Sequence, residues 1–366
     1  MVLLHGLTDS PYSQRHLARL YRDHGFVAIA IRLPGHGTVP AGLTGIDWED
    51  WLAATRLAMR EARRRVGAER PLHLVGYSNG GALAVKYALD SLEDQALPRV
   101  DRVVLLSPMI GVTRFARFAG LAAVPAVLPA FASAAWLSVA PEFNPFKYNS
   151  FPVNGATQSH RLTAALQEQI VRAARENRLS GMPPVLTFQS VVDFTVSTPA
   201  IFETFYDRLP ANGSELVLFD VNRSSKFAPL LSAAAETKLS RVLPAPPRRY
   251  RTAIMTSEGA VAPGVIERPT APGAVTEETR PLDLTYPAEV YSLSHIAIPF
   301  PLSDGLYGLT PDPQNDFGVN LGTLAAHGEV GGLVVNMNAM LRMSSNPFFP
   351  YVLQRVTSWI GAAPGS

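Results

Sequence analysis

The chain has 366 residues, of which 47% are hydrophobic and 17% charged, which is typical of a globular protein with a sizeable core. Its 32 basic and 30 acidic residues nearly cancel, so the charge gives no indication of a nucleic-acid partner. The absence of cysteine excludes disulfides and cysteine-based zinc sites. The N-terminus lacks a signal-peptide pattern, and prolines interrupt the one long uncharged stretch, 118–140. We therefore expect a soluble protein without a transmembrane span, in a compartment that the sequence leaves open.

Strands and helices alternate in the first part of the chain. Short apolar runs predict the strands, and helical spacing of apolar residues predicts the helices. In chain order the predicted elements are strand Val2–Leu4, helix Gln14–His24, strand Phe26–Ile31, helix Asp47–Val66, strand Leu72–Val75, helix Asn79–Leu89 and strand Val103–Leu106. This alternation predicts an α/β fold, in which a mostly parallel sheet is covered by helices on both faces.

The pattern changes after residue 110. Ala-rich and aromatic segments from 111 to 181 predict a helical cap, inserted into an α/β core that comprises 1–110 and 182–366. The stretch 222–287, which contains many Pro and Arg residues, predicts an irregular insertion with one strand and a loop over 263–280. The remaining predicted elements are strand Val185–Gln189, helix Ile201–Leu209, strand Leu216–Phe219, strand Tyr250–Met255, strand Val290–Leu293 and helix Asn346–Ile360.

One motif carries a specific chemistry. Gly76-Tyr77-Ser78-Asn79-Gly80 has the form G-x-S-x-G, and it follows a predicted strand and opens a predicted helix. The glycines allow strand and helix to pack closely across a sharp turn, which projects the serine hydroxyl from the sheet edge. This context predicts that Ser78 is a nucleophile, and the alternative is a Gly-Ser turn without chemistry.

Acyl transfer also needs two N–H donors for the oxyanion that develops on the substrate. Asn79 N–H, at the start of the helix after the motif, is one candidate, and Leu7 N–H, in the loop His5-Gly6-Leu7-Thr8 after the first strand, is the other. We interpret His5 as a structural residue that hydrogen-bonds this loop into shape, because a catalytic base must instead reach the serine oxygen.

A serine nucleophile needs a base and an acid, which follow it in the chain order Ser, acid, His. Asp193 follows a predicted strand and fits the acid, while Asp220, one strand later, is the alternative. Of the histidines after the motif, His295 follows the last predicted strand and fits the base, whereas His160 lies in the predicted cap and His327 is interpreted as a loop residue. No His, Asp or Glu cluster has the spacing of metal ligands, so we expect no metal and no cofactor.

At these residues the chain resembles the α/β-hydrolase superfamily, and within it the lysophospholipase, monoacylglycerol lipase and carboxylesterase group. The cues are the His5-Gly6 loop, the turn Leu33-Pro34-Gly35-His36-Gly37, the motif Gly76 to Gly80, Asp193 and His295. The resemblance implies a serine hydrolase that acts on carboxylic esters through an acyl-enzyme. It also implies Ser78, Asp193 and His295 as the catalytic triad and Leu7 and Asn79 as the oxyanion donors.

The chain departs from the family pattern at three places. It begins almost at the oxyanion loop, Arg32 stands where many members have an acidic residue, and the stretch from 219 to 290 is unusually long. An uncovered sheet edge invites pairing with another chain, so we expect self-association into a homo-oligomer. The alternative is that Tyr250–Met255 supplies a compensating strand.

Aromatic residues of the predicted cap suggest the kind of substrate. They are Phe115, Phe118, Phe131, Trp136 and Phe143. An aromatic wall favours apolar acyl or aromatic esters and contact with a lipid surface, although ordinary packing of the cap core would use the same residues. A thioesterase, an amidase or an acyltransferase would use the same triad, and a binding protein with this fold and weak activity is the alternative from another class.

Overall fold

The computed structural model describes residues 1–111, 135–193, 195–223, 243–259, 263–287, 290–321, 324–326 and 341–361. The chain divides into two compact units, residues 1–183 and 184–366. Among the described helices, none is long and apolar enough to cross a membrane.

The first unit is built on four parallel strands in the order β4-β3-β1-β2. These strands are β1 (Val2–Leu4), β2 (Ile29–Ala30), β3 (His73–Tyr77) and β4 (Arg102–Leu106). Every residue of β1, β3 and β4 is buried. Parallel strands that are covered on both faces have no solvated side, and this explains why their sequences are apolar without alternation.

Helices of the first unit confirm the predicted alternation. They are α1 (Arg15–Asp23), α2 (Trp48–Val66), α3 (Asn79–Glu93) and α4 (Val153–Arg175). α2 begins at a capping box in which the side chains of Asp47 and Asp50 accept each other's backbone N–H groups, so the acidic first turn satisfies the free donors of the helix. Strand β2 is shorter than the predicted Phe26–Ile31, because Phe26 N–H still donates to Tyr21 O after α1 has ended.

Helix α4 lies in the region predicted as the cap, and it runs alongside α3. Near its start Ser159 Oγ donates to Asn79 Oδ1 over 3.1 Å, and further along Gln169 Nε2 donates to Asp90 Oδ1 over 3.0 Å. Thr163 Oγ1 donates to the carbonyl of Met109, just beyond the carboxyl end of β4. The described part of this region, which also contains the short hairpin of β5 (Trp136–Ser138) and β6 (Phe151–Pro152), therefore packs within the first unit. The boundaries of the cap remain a prediction, and Phe115, Phe118 and Phe131 lie outside the described residues.

The second unit has a mixed sheet in the order β11-β10-β9-β8-β7. β7 (Val185–Ser190), β8 (Glu215–Phe219) and β9 (Arg251–Ser257) are parallel, while β10 (Gly264–Thr270) and β11 (Arg280–Thr285) are antiparallel to their neighbours. A separate antiparallel pair joins β12 (Leu324–Ala326) and β13 (Leu341–Met343). Between β7 and β8 the helical turns Thr198–Ala200, Ile201–Phe205 and Tyr206–Arg208 follow one another, and helix α5 (Phe349–Gly361) closes the described chain.

The prediction of a loop over 263–280 is wrong, because β10 occupies its first part. Pro and charged residues in this stretch indicated a loop, yet the charges are paired in the sheet. The side chain of Glu267, which is 6% exposed, accepts a hydrogen bond from Arg251 over 2.5 Å, and Arg268 pairs with Glu277 at the same distance. A buried charge with a partner is tolerated within a strand.

All of the predicted strand Tyr250–Met255 except Tyr250 lies in β9, but this strand does not compensate at the edge beside the first strand. It lies between β8 and β10 within the second unit. β1 itself has β2 on one side and β3 on the other, so the two-residue strand β2 is the end of its own unit's strand order. Self-association remains a prediction.

Candidate active site

Ser78 stands at a sharp turn between β3 and α3. Its φ of 53° and ψ of −116° lie in a region that residues with a side chain rarely adopt. Such a conformation costs about 1–3 kcal/mol and persists only where its surroundings hold it. Four backbone hydrogen bonds do so. Ser78 N–H donates to Leu106 O over 3.0 Å, and Ser78 O accepts from the N–H groups of Met109, Gly81 and Ala82 over 3.0, 2.9 and 3.3 Å.

The glycines of the motif are required by close packing around this turn. A Cβ at Gly80 would overlap the carbonyl oxygens of Leu4 and His5, and one at Gly76 would overlap the carbonyl oxygen of Gly80. A Cβ at Gly6 would lie 3.2 Å from Ser78 Cβ, which shows how closely the loop after β1 approaches the serine. The first unit therefore brings the turn and the candidate oxyanion loop together.

His5 fixes the orientation of the peptide that carries the Leu7 N–H. Its Nδ1 donates to Gly6 O over 2.8 Å, and its Nε2 accepts from Leu33 N–H over 3.0 Å, which assigns a single neutral tautomer. Burial lowers the pKa of His5 to about 3. The carbonyl and N–H of one peptide point in opposite directions, so holding Gly6 O aims the Leu7 N–H away from His5. Both ring nitrogens are occupied, as we expected of a structural histidine.

The turn Pro34 to Gly37 packs against this histidine. His36 is buried, its Nδ1 donates to Pro34 O over 3.0 Å, and its ring meets that of His5 edge-on with centroids 4.8 Å apart. Gly35 has a φ of 77°, and a Cβ there would lie 2.8 Å from Gly42 O. The glycine is therefore needed both for its backbone conformation and for space.

The side chain of Asn79, the first residue of α3, is bound to α4. Its Oδ1 accepts from Ser159 on α4, and the whole residue is buried. Its backbone N–H belongs to the first turn of the helix, where N–H groups lack helical acceptors and the helix dipole is positive. Such an N–H group suits an oxyanion.

Asp193 and His295 are brought together in the second unit. His295 Nδ1 donates to Asp193 Oδ2 over 2.8 Å, and the aspartate side chain is fully buried while that of the histidine is 11% exposed. The other carboxylate oxygen accepts from the N–H groups of Thr195 and Val196, over 2.8 and 3.0 Å. Burial alone would raise the pKa of Asp193, but the His295 ring and these backbone donors outweigh it, and the pKa is lowered. Asp193 is therefore an ionised hydrogen-bond acceptor for the histidine.

Asp220, the alternative acid, has other partners. Arg223 Nε donates to its Oδ2 over 2.6 Å, and Thr256 Oγ1 donates to the same oxygen over 2.9 Å. Its Oδ1 accepts from Val221 N–H over 2.8 Å. Asp220 is therefore a structural carboxylate, whose hydrogen bonds stabilise the chain where β8 ends.

The predicted strand Val290–Leu293 is wrong, since the structure has no strand over these described residues. Asn222 holds this segment instead. Its backbone N–H donates to Tyr291 O over 2.7 Å, and its Nδ2 donates to Val290 O and Pro287 O over 2.9 and 3.1 Å. His295 follows directly, at the start of the short helix His295–Ala297. No sequence pattern indicates Asn222, because hydrogen bonds from one side chain to the carbonyl groups of a distant segment have no periodicity.

His160 and His327 are the other histidines that follow the motif. His160 is part of α4, and His327 lies outside the described residues. Within the described part of the chain, no group of His, Asp or Glu is arranged to hold a metal ion.

Parts of the chain are similar to known proteins. A thermostable monoacylglycerol lipase of Bacillus sp. strain H-257 is 31% identical over 88 residues, 24% of this chain and 34% of that protein. Phospholipase YtpA of Bacillus subtilis strain 168 is 25% identical over 113 residues, 31% of this chain and 41% of that protein. A solved structure of the metagenome-derived lipolytic enzymes LipS and LipT aligns with a TM-score of 0.44 at 25% identity, over 56% of this chain and 77% of that chain.

The matched segments cover only part of the curated relatives. This chain spans between 34% and 41% of their length. The match to a protein family is longer. The family model Hydrolase_4, described as serine aminopeptidase, S33, matches residues 1–222. The chain therefore belongs to the Hydrolase_4 family of α/β-hydrolases.

Proposed function

We propose that the protein hydrolyses carboxylic esters through an acyl-enzyme on Ser78, with His295 as the base and Asp193 as the acid. The observation that carries this proposal is the 2.8 Å hydrogen bond between His295 Nδ1 and Asp193 Oδ2. With Nδ1 donating to the carboxylate, Nε2 is the nitrogen that can take a proton. The strained conformation of Ser78 supports the same role, because strain of this kind clusters at functional sites.

The proposed reaction has two halves. Ser78 Oγ attacks the ester carbonyl carbon while His295 Nε2 takes the hydroxyl proton, and the oxyanion that forms accepts hydrogen bonds from Leu7 N–H and Asn79 N–H. The carbonyl re-forms, the C–O bond of the ester breaks, and the alcohol leaves with the proton from His295. Water then attacks the acyl-enzyme with His295 again as the base, which releases the carboxylic acid and restores Ser78.

Apolar acyl or aromatic esters are the proposed substrates. Two relatives, a monoacylglycerol lipase and a phospholipase, support this class. In the region predicted as the cap, Leu137, Val139 and Phe143 are 48%, 75% and 60% exposed, and exposed apolar side chains of this kind suit contact with acyl chains or a lipid surface. Trp136 is half-buried, which ordinary packing explains.

Amide hydrolysis is the second candidate, because the matched family is described as serine aminopeptidase. The same residues would carry it, so only an assay separates the two. We propose steady-state measurements on p-nitrophenyl esters of rising acyl length and on amino-acid p-nitroanilides, with Ser78→Ala as the blank. Ester turnover well above the blank supports the proposal, and turnover of the anilides alone would favour the peptidase.

A further inference from the structure

A polar side chain lies buried in β7, close to the proposed acid. Gln189 is completely buried. Its Nε2 lies 3.2 Å from Asp193 Oδ2, 3.0 Å from Thr198 Oγ1 and 3.1 Å from Ser190 O. A buried amide is costly unless it is hydrogen-bonded, and here the hydrogen bonds include one to a carboxylate.

The chemistry of its neighbours fixes which end of the amide faces them. The carboxylate of Asp193 and the carbonyl of Ser190 can only accept. Thr198 Oγ1 donates its own proton to Ser190 O over 2.9 Å, so this hydroxyl presents a lone pair to Gln189. A flipped amide would set its carbonyl oxygen against these acceptors, and the NH₂ group must therefore point toward them.

We propose that Gln189 is a positioning residue, whose amide holds the Asp193 carboxylate in the orientation that binds His295. Asp193 Oδ1 already accepts two backbone N–H groups, and Oδ2 is shared between His295 Nδ1 and Gln189 Nε2. Gln189 is thus the side chain that fixes the oxygen facing the histidine. This inference rests on the proposed function, in which that histidine is the base.

The charge of the Asp193–His295 pair makes the positioning role of Gln189 testable. Among the contacts described for Asp193, His295 is the ionisable partner, whereas Gln189 and the backbone donors of Thr195 and Val196 are neutral. Loss of the amide donor leaves the carboxylate less stabilised, so the Asp193–His295 pair holds its proton more tightly. A carboxyl group in place of the amide puts a second acid beside the pair, and two carboxyl groups in one buried site share a proton, so the cluster holds its protons to higher pH. Because the base must be unprotonated to act, both changes move the acid-side midpoint of the activity profile to higher pH.

The test uses two variants and a matched control. Gln189→Met keeps the length of the side chain and removes its donors, and Gln189→Glu adds a second titratable carboxyl group. Thr187→Val is the control, because Thr187 is also fully buried, lies two residues earlier on the same face of β7, and hydrogen-bonds Tyr206 OH over 2.8 Å. For each protein kcat/KM for one p-nitrophenyl ester is measured from pH 5 to 9, and the melting temperature is measured alongside.

We expect Gln189→Met to lower kcat/KM about tenfold and to raise the acid-side midpoint by roughly half a pH unit. Gln189→Glu should raise the acid-side midpoint by about one pH unit or more. Thr187→Val should lower the melting temperature without moving the midpoint. A midpoint that stays in place in both Gln189 variants, while Ser78→Ala abolishes turnover, would overturn this inference alone. Turnover that survives Ser78→Ala would overturn the proposed function and the inference with it.

Discussion

His5 and His295 differ in what their ring nitrogens contact. Both nitrogens of His5 are used by backbone groups of the first unit, whereas the His295 Nδ1 donates to a carboxylate. From the sequence, chain order led us to pair His295 with Asp193, and the structure joins these two residues by a hydrogen bond. Gln189 could not be found in the same way, since a single polar residue in a strand has no spacing to recognise.

The two candidate acids allow a direct comparison at this scale. Asp193→Asn should lower kcat by roughly 10³- to 10⁴-fold, because an amide in place of the carboxylate no longer holds the tautomer of the base. Asp220→Asn should leave kcat within a few-fold and should cost about 1–3 kcal/mol of the free energy of unfolding, since Arg223 and Thr256 lose a charged acceptor. Steady-state kinetics and urea unfolding of both variants check these values. The reverse ranking in kcat would reassign the acid to Asp220.

Among the helices and strands, local sequence patterns predicted those whose formation depends mainly on their own residues. Helices α2 and α3 and the buried strands of the first unit follow from apolar spacing and capping residues. β10 did not follow, because its charged residues are paired with Arg251 and Glu277, which lie elsewhere along the chain. The prediction for segment 290–293 was wrong in the opposite direction. Its apolar residues indicated a strand, but Asn222 donates hydrogen bonds to its carbonyl groups.

The binding of this segment by Asn222 gives a further prediction. Asn222→Asp keeps the shape of the side chain but replaces its two donated hydrogen bonds with repulsion between the carboxylate and the carbonyls of Val290 and Pro287. We expect kcat/KM to fall by about tenfold or more, because the residues that lead to His295 lose their anchor.

Ser257→Ala is the matched control for that variant. Ser257 Oγ donates to Asn222 Oδ1 over a longer distance, 3.3 Å, and its removal leaves the two donors of Asn222 in place. Stopped-assay kinetics at fixed pH should show a much smaller loss for Ser257→Ala. Equal losses in the two variants would mean that Asn222 does not act through the His295 segment.

For the molecule as a whole, acid sensitivity follows from buried histidines of the first unit. Burial lowers the pKa of His5 and His73 to about 3 and that of His36 to about 4. Unfolding restores their ordinary values near 6.5, so the unfolded chain binds more protons and the free energy of unfolding falls as the pH drops from 6.5 toward 4. Asp9 opposes this, because burial raises its pKa to about 6 and the folded chain keeps that proton.

Three histidines outweigh one aspartate, so we expect urea midpoints to decrease steadily between pH 6.5 and 4. His73→Gln should reduce the slope, because it removes one of the protons taken up on unfolding. Urea titrations at half-unit pH intervals give both slopes. A midpoint that is independent of pH over this range would mean that the folded and unfolded chains bind equal numbers of protons, which contradicts this expectation.

Self-association is a separate expectation for the whole molecule. Strand β2, which pairs with Val2 and Leu3 of β1, ends the strand order of the first unit, and an edge strand can pair with another chain. Light scattering after size exclusion, over a hundredfold range of protein concentration, should give a mass that rises above 39.5 kDa. A constant monomer mass would contradict association.

The most direct test of the central claim is where a fluorophosphonate probe attaches, and how fast. The account predicts a single adduct on the peptide that contains Ser78, formed rapidly by the wild type, far more slowly by His295→Ala and Asp193→Asn, and not at all by Ser78→Ala. Circular dichroism confirms that each variant is folded before labelling. An adduct on another residue, or a labelling rate unchanged in His295→Ala, would contradict the assignment of Ser78 as a nucleophile activated by His295.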